Sequence, residues 1–445
     1  MRPGEARELA GLALPAVLSY VLANAFRVVD QFWVQFLPDG AAAQAAIGNT
    51  TFVVIANHAL FLLVAAGALP LVARARGAGD RERRDALVRA ALALALFLAL
   101  LVGVAGELGT QPIVDALGLQ GASAERAREY LRTLYALVPG FALAPVLDQL
   151  LLGLGNARAA LVLQIVTVLL NLVLVRLLVL GWGALPAQGI AGAALAAGLS
   201  RLVAALVGLV WLARREGVCW WRGGSARGLV LEIARTGAPQ ACATLAYALV
   251  YFGVLRWIVN PLGTAVQAGF AIGFTAIEGF TFPFSLGVAM AGATMIGRRL
   301  GAGEIDSAWH VVRTLRRVGF AVGLCVAVLY WSLGARAVGL FTDDALVRAE
   351  AARYVFVIAF SQLFVALEAV HERVLLGAGR TQSILAVSAP LNALRVPLGW
   401  LAAVRLGLGA EGMWWVLNAT SLGKACVYAW VVQRGRWARG GLRAA

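Results

Sequence analysis

Residues 148–180 read DQLLLGLGNARAALVLQIVTVLLNLVLVRLLVL, and two features of this stretch decide the fold. From Ala159 to Leu180 it is apolar apart from Gln164, Thr167, Asn171 and Arg176, long enough for a helix to cross a hydrocarbon core of roughly 30 Å. Before that run stands Asp148, followed by Leu151-Leu152-Gly153-x-Gly155, and the pattern returns 224 residues later as Glu372 followed by Leu375-Leu376-Gly377-x-Gly379. Two further pairs share the offset: Pro15 with Pro239, and Gly77-Ala78-Gly79-Asp80 with Gly301-Ala302-Gly303-Glu304. One Gly-rich match could be chance in so Gly-rich a chain, but a common spacing across separated segments marks an internal duplication.

Working outward, twelve apolar runs fall at 9–36, 43–72, 87–107, 129–152, 159–183, 188–213, 229–259, 265–294, 311–332, 350–376, 383–404 and 408–433. Each is long enough to span a bilayer. Six spans per half is an even number, so the second half enters the membrane in the same direction as the first and the repeat is parallel. The expected architecture is an all-α polytopic membrane protein, with twelve transmembrane helices in two repeat-related six-helix bundles. The amino-terminal lobe covers 1–213, a cytoplasmic linker 214–228, the carboxy-terminal lobe 229–433 and a basic cytoplasmic tail 434–445. Within the linker, Trp220 and Trp221 beside Arg214, Arg215, Arg222 and Arg227 have the mixture expected at a membrane interface.

Of the 445 residues, 61% are hydrophobic and 14% charged, which leaves too little polar surface for a water-soluble enzyme. The net charge of +15 is a topology signal. Arg and Lys number 24 in the amino terminus, the even-to-odd connections with their adjoining helix ends, and the tail, against 7 on the opposite side. The positive-inside rule then puts both termini in the cytoplasm of a multi-pass inner-membrane protein. Basic residues in short clusters between apolar runs do not build a nucleic-acid groove. Cys219, Cys242, Cys325 and Cys426 show no CxxC spacing, so neither a disulfide nor a metal centre is expected. The run from Leu9 to Phe36 is too long for a signal h-region and reads as a retained helix. With no HExxH, GxSxG or paired ExxH motif, enzyme chemistry is not expected, and no cofactor is called for.

Leu12-Ala13-Leu14-Pro15 with Val29-Asp30, Ile277-Glu278-Gly279-Phe280 with Gly297 and Leu300-Gly301-Ala302-Gly303, Leu376-Gly377-Ala378-Gly379-Arg380-Thr381 and Gly189-Ile190-Ala191-Gly192-Ala193-Ala194 carry a family likeness. Over its whole length the chain resembles the multidrug and toxic compound extrusion (MATE) transporters, in the larger group that includes lipid-linked oligosaccharide flippases. The resemblance implies two six-helix bundles around a central cleft, alternating access, and efflux driven by inward proton or sodium movement. Its amino-lobe cation site is similar to Asp30 and Asn171 here, but Val175 and Ala197 stand where a second Asp and a Thr would sit. Tyr247 and Val365 fall where sodium-coupled members carry acids. Sodium needs several oxygen ligands, whereas a proton needs one titratable group. The expected coupling ion is therefore the proton, with sodium as the alternative.

Among the charged residues within the runs, twelve bear on mechanism: Arg27, Asp30, Asp148, Arg176, Arg201, Arg256, Glu278, Glu368, Glu372, Arg373, Arg395 and Lys424. At roughly 2.5–3.5 kcal/mol for each central charge, lipid exposure of the whole set would exceed the stability of a fold. Those away from helix ends should face the protein interior or a cleft. Asp30 and Arg27, three residues apart, share one helix face and form either a structural ion pair or, as the resemblance suggests, a carboxylate poised to exchange a proton. Glu278 has no basic residue within four positions and is a cleft candidate. Glu368, His371 and Glu372 form one polar face, open to a proton relay or to a satisfied network. Arg201 and Lys424, 223 apart, would line the cleft for anionic cargo or neutralise nearby acids. Tyr247, Tyr251, Phe252, Phe270, Phe274, Phe280, Phe282 and Phe284 could stack on flat substrates or serve packing. The reading is a monomeric, proton-coupled antiporter exporting amphipathic, cationic organic compounds, with anionic or lipid-linked cargo as its alternative.

Overall fold

The computed structural model describes the backbone of residues 3–34, 36–38, 40–117, 119, 121–183, 186–219, 226–342 and 344–439. It describes their side chains except at 3–7, 23–32, 40–42, 44, 45, 48, 49, 51, 52, 226, 227, 260, 264, 275, 276 and 439. Among the described residues no strand forms, as expected where lipid offers backbone groups no partner and a helix satisfies its own.

The helices are α1 (Pro3–Val34), α2 (Gly40–Gly77), α3 (Arg81–Ala116), α4 (Gly121–Ala136), α5 (Val138–Gly153), α6 (Ala157–Leu180), α7 (Gly189–Arg214) and α8 (Ala226–Val254) in the first part of the chain. They continue as α9 (Thr264–Ala271), α10 (Gly279–Gly301), α11 (Ile305–Val338), α12 (Ala345–Gly377), α13 (Thr381–Ala393), α14 (Arg395–Trp400), α15 (Gly409–Gln433) and α16 (Arg436–Arg439). Every apolar run falls on these elements. Among the described residues nine helical spans are long and apolar enough to cross a membrane, or ten with α4 and α5 counted as one crossing bent by 57°. The bend sits at Pro139, which has no N–H to close a helical bond to Tyr135. α1 and α15, 32 and 25 residues long, carry the two remaining runs, and α15 holds Glu411, Asn418, Thr420, Ser421 and Lys424 among its apolar residues.

The duplication is visible in the backbone. Gly79 and Gly303 turn at φ 74° and 78°, and Gly155 and Gly379 at 73° and 71°, a left-handed conformation that favours glycine in both copies. Asn156 and Arg380 follow the second pair as the residues that precede α6 and α13.

The chain folds into two compact units that do not follow the halves of the sequence. One comprises Met1–Tyr20, Gly77–Gly79 and Cys242–Ala445, the other Val21–Arg76 and Asp80–Ala241. In the carboxy-terminal unit the front of α1 lies on α10, with Glu8 accepting from Arg298 at 3.4 Å and Arg299 at 2.8 Å. In the amino-terminal unit the front of α8 crosses α2 so closely that a Cβ on Gly67 would run into the Ile233 carbonyl, and one on Gly237 into that of Leu63. That unit's core gathers Phe61, Leu131, Tyr135, Val175 and Ile190; the other's gathers Phe270, Tyr354, Met413 and Trp414. Beyond α7 the chain is tied back to the amino-terminal unit. Glu216 accepts from Arg76 at 3.0 Å and Asn156 at 2.8 Å, and Asp85 accepts the Cys219 N–H at 3.1 Å. The rest of the linker, Trp220, Trp221 and Arg222 included, lies outside the described residues.

Candidate functional site

Of the ten intramembrane charges whose side chains are described, seven lie in the carboxy-terminal unit. Between α9 and α10 the helix widens into a π turn at Ile272–Glu278, so one extra residue shifts the face on which Glu278 ends. Its carboxylate accepts the Tyr354 hydroxyl of α12 at 2.8 Å, with the buried Gln362 one helix face along. A second break, at Leu394 between α13 and α14, lies between Pro390 and Pro397 and sets Arg395 at the head of the short helix. Arg395 is 3% exposed, and its guanidinium donates to Thr420 at 3.0 Å, Ser421 at 3.1 Å and the Tyr251 hydroxyl at 3.2 Å. All three are neutral oxygens. Lys424, equally buried, pairs with Glu368 at 2.7 Å. Beside these groups runs an aromatic series. Tyr247 meets Tyr251 at 4.6 Å between ring centres, Tyr251 stacks on Phe274 at 5.0 Å, Phe274 on Phe270 at 5.2 Å, and Phe270 on Trp414 at 5.3 Å. Such contacts contribute about 0.5–1.5 kcal/mol each beyond the area they bury. Two cations and two carboxylates thus sit together beside a flat apolar wall.

Glu278, Glu368, Lys424, Tyr247 and Phe274 therefore come together as site candidates. His371 does not join Glu368: its Nε2 accepts from Arg316 at 2.9 Å, while Glu372 pairs with Arg373 at 3.2 Å. The polar face of α12 is divided among separate partners. Arg201 lies in the other unit, where it donates to the Ala197 carbonyl at 3.0 Å and stands over the Phe141 ring at 4.5 Å. By the offset of 224 its counterpart is Ala425, one position from Lys424. Asn171 is 1% exposed and its Nδ2 meets no partner among the described residues; Val175 and Ala197 are also buried. Asp30 and Arg27 lie on α1, and their side chains are outside the described residues. Phe252, Phe280, Phe282 and Phe284 are exposed and take no part in the stack. Arg176 and Arg256 are exposed near the ends of their spans, where long side chains reach the interface. Sequence reading missed Tyr354, Gln362, Trp414, Thr420 and Ser421, and recorded Arg395 only as an intramembrane charge. The proline pair around Arg395 was the available signal.

Fold and site define a polytopic helical membrane protein built from two like halves. The MatE family model matches residues 15–177 and again 241–401, and the chain belongs to that family. It is 25% identical to the probable multidrug resistance protein NorM of Thermotoga maritima, over 97% of this chain and 93% of that protein. It is 27% identical to the multidrug resistance protein MdtK of Edwardsiella ictaluri, over 94% and 93%. Among solved structures it shares the fold of a MOP superfamily transporter from Pyrococcus furiosus, with a TM-score of 0.88 at 20% identity, covering 98% of this chain and 97% of the other.

Proposed function

We propose that this protein is a secondary active antiporter of the inner membrane, with both termini cytoplasmic, that exports amphipathic organic compounds by alternating access and is driven by inward proton movement. The reading rests on the company Glu278 keeps: a hydroxyl donor at 2.8 Å, an aromatic wall, and Arg395 and Lys424 within electrostatic reach. A carboxylate so placed can exchange a proton, and the wall suits a flat apolar body. Nearby cations oppose a sodium ion, which wants oxygen ligands on every side. Asp30, with Arg27 and Asn171, is the coupling carboxylate in the amino-terminal half, where the buried Val175 and Ala197 offer sodium no side-chain oxygen. The relatives named for multidrug resistance support the cargo class.

A second reading, export of an anionic or lipid-linked compound, is favoured by Arg395, whose hydrogen bonds all go to hydroxyls. Purified protein in liposomes decides coupling. Efflux of a fluorescent amphipathic cation should collapse on adding a protonophore and persist without sodium, and the opposite pattern would overturn the proton reading. If an organic anion of similar shape is exported in its place, the second reading takes over the cargo assignment.

A further inference from the structure

In each unit the chain that leaves the last long helix folds back over the same two places. After α7, Glu216 accepts from Asn156 at 2.8 Å and from Arg76 at 3.0 Å. Asp85 of α3 accepts the Cys219 N–H at 3.1 Å, and Arg89 donates to the Cys219 carbonyl. After α15 the chain turns at Gly435, with φ 69°, into α16. There the Arg436 carbonyl accepts from Arg380 at 3.5 Å, and the buried Trp437 packs on Trp309 of α11 at 5.0 Å between ring centres. The Trp437 Nε1 donates to the Val432 carbonyl at 2.8 Å, which fixes the ring in that seat. Asn156 and Arg380 are 224 residues apart, as are Asp85 and Trp309, and Arg89 and Arg313. The clasp is part of the duplication.

The two copies differ in charge. In the amino-terminal unit the arginines of the clasp have acceptors: Arg76 has Glu216, Arg84 has Asp85 at 2.6 Å, and Arg89 has the Cys219 carbonyl. In the carboxy-terminal unit Trp309 stands at the place of Asp85 and Arg380 at that of Asn156. Arg313, Arg380, Arg434 and Arg436 are exposed there, and among the described residues none of them pairs with a carboxylate. Arg313 is one turn beyond Trp309 on the same face of α11. Arg434 stands over the Trp430 ring at 3.5 Å. Trp430 and Val427, four and seven residues before it on one face of α15, are 51% and 37% exposed. Unpaired guanidinium groups therefore adjoin an exposed aromatic and aliphatic strip.

We propose that the carboxy-terminal clasp binds one anionic phospholipid, whose phosphate lies against Arg434 and Arg436, with Arg313 and Arg380 beside them, and whose acyl chain follows Trp430 and Val427. Guanidinium groups take phosphate oxygens in pairs, and basic clusters next to a span draw anionic headgroups. The apolar strip selects a lipid over a soluble phosphate, because only a lipid brings hydrocarbon to the same place. Trp430, near the end of its helix, has the interfacial position of membrane-anchoring tryptophans. Bound there, the lipid supplies the negative charge that Glu216 and Asp85 supply in the other unit, and it holds the tail on α11. Neither the cargo nor the coupling ion proposed above enters into this site.

The test uses the full-length protein purified in an uncharged detergent, with phosphatidylglycerol or phosphatidylcholine titrated in and bound lipid counted by native mass spectrometry. One phosphatidylglycerol should be retained in preference to phosphatidylcholine, and inorganic phosphate should not displace it. Arg434→Gln/Arg436→Gln should weaken that binding by roughly tenfold or more. Arg214→Gln/Arg215→Gln, which removes the same charge from the end of α7, should leave it unchanged. Equal retention of the two lipids, or no loss in the tail variant, overturns the site. An equal loss in the two double variants overturns it as well, because binding would then follow net charge alone. Displacement by inorganic phosphate would make the ligand a free anion and overturn the lipid assignment. Should the tail variant not melt cooperatively, Arg313→Gln reads the same loss from outside the tail.

Discussion

Lys424 and Arg395 are both buried cations, yet they are held in different ways. Lys424 has a carboxylate at 2.7 Å, so removing it alone would leave Glu368 uncompensated, a loss on the order of 3–5 kcal/mol. Arg395 spreads its charge over three hydroxyls and leaves Glu278 to Tyr354. Glu278, Glu368 and Lys424 could be singled out from the sequence because a charge inside an apolar run demands a reason. Tyr354, Thr420 and Ser421 could not, since nothing in helical periodicity says which distant helix face will meet them. At this scale the sharpest expectation concerns Asp30. Asp30→Asn keeps shape and hydrogen bonding but cannot cycle a proton, so substrate binding measured by fluorescence titration should survive while export against a gradient disappears. Wild-type export by this variant would move the coupling role to Glu278.

The helices themselves were legible as apolar runs, but their interruptions were not. Pro139 breaks the fourth run by 57°, and π turns at Leu255–Val259, Ile272–Glu278 and Leu401–Arg405 each insert an unpatterned residue into a span. One inserted residue does not disturb hydropathy, yet it turns every later side chain about the helix axis. Helix crossing is also decided below the level of hydropathy. Gly237 approaches α2 backbone to backbone, so Gly237→Leu should cost more than the about 1–3 kcal/mol of ordinary overpacking and lower the melting temperature in detergent markedly. Gly228→Leu, in open space on the same helix, should leave it nearly unchanged. Equal shifts for the two would mean that the α2–α8 crossing does not depend on its glycines.

For the molecule as a whole, the offset of 224 residues revealed the repeat because insertions between the halves are few. The family model, matching once in each half, shows the same periodicity. Orientation rests on the basic residues, and a labelling experiment reads it directly. In a background with the four native cysteines replaced by serine, cysteine at Asp39 or Glu411 should react with an impermeant thiol reagent on intact cells, and cysteine at Arg222 should not. The reverse pattern would invert the direction of transport. What spacing could not disclose is which half each leading segment packs with. Residues 1–20 cluster with the second half, and the front of α8 with the first. A half-length chain on its own would carry a greasy leading segment with no seat, whereas two copies trading those segments would each be complete. The two halves of this chain therefore depend on one another, as partners in a swapped dimer do. Either half synthesised alone should be cleared from the membrane, and synthesis of the two together should restore a stable complex.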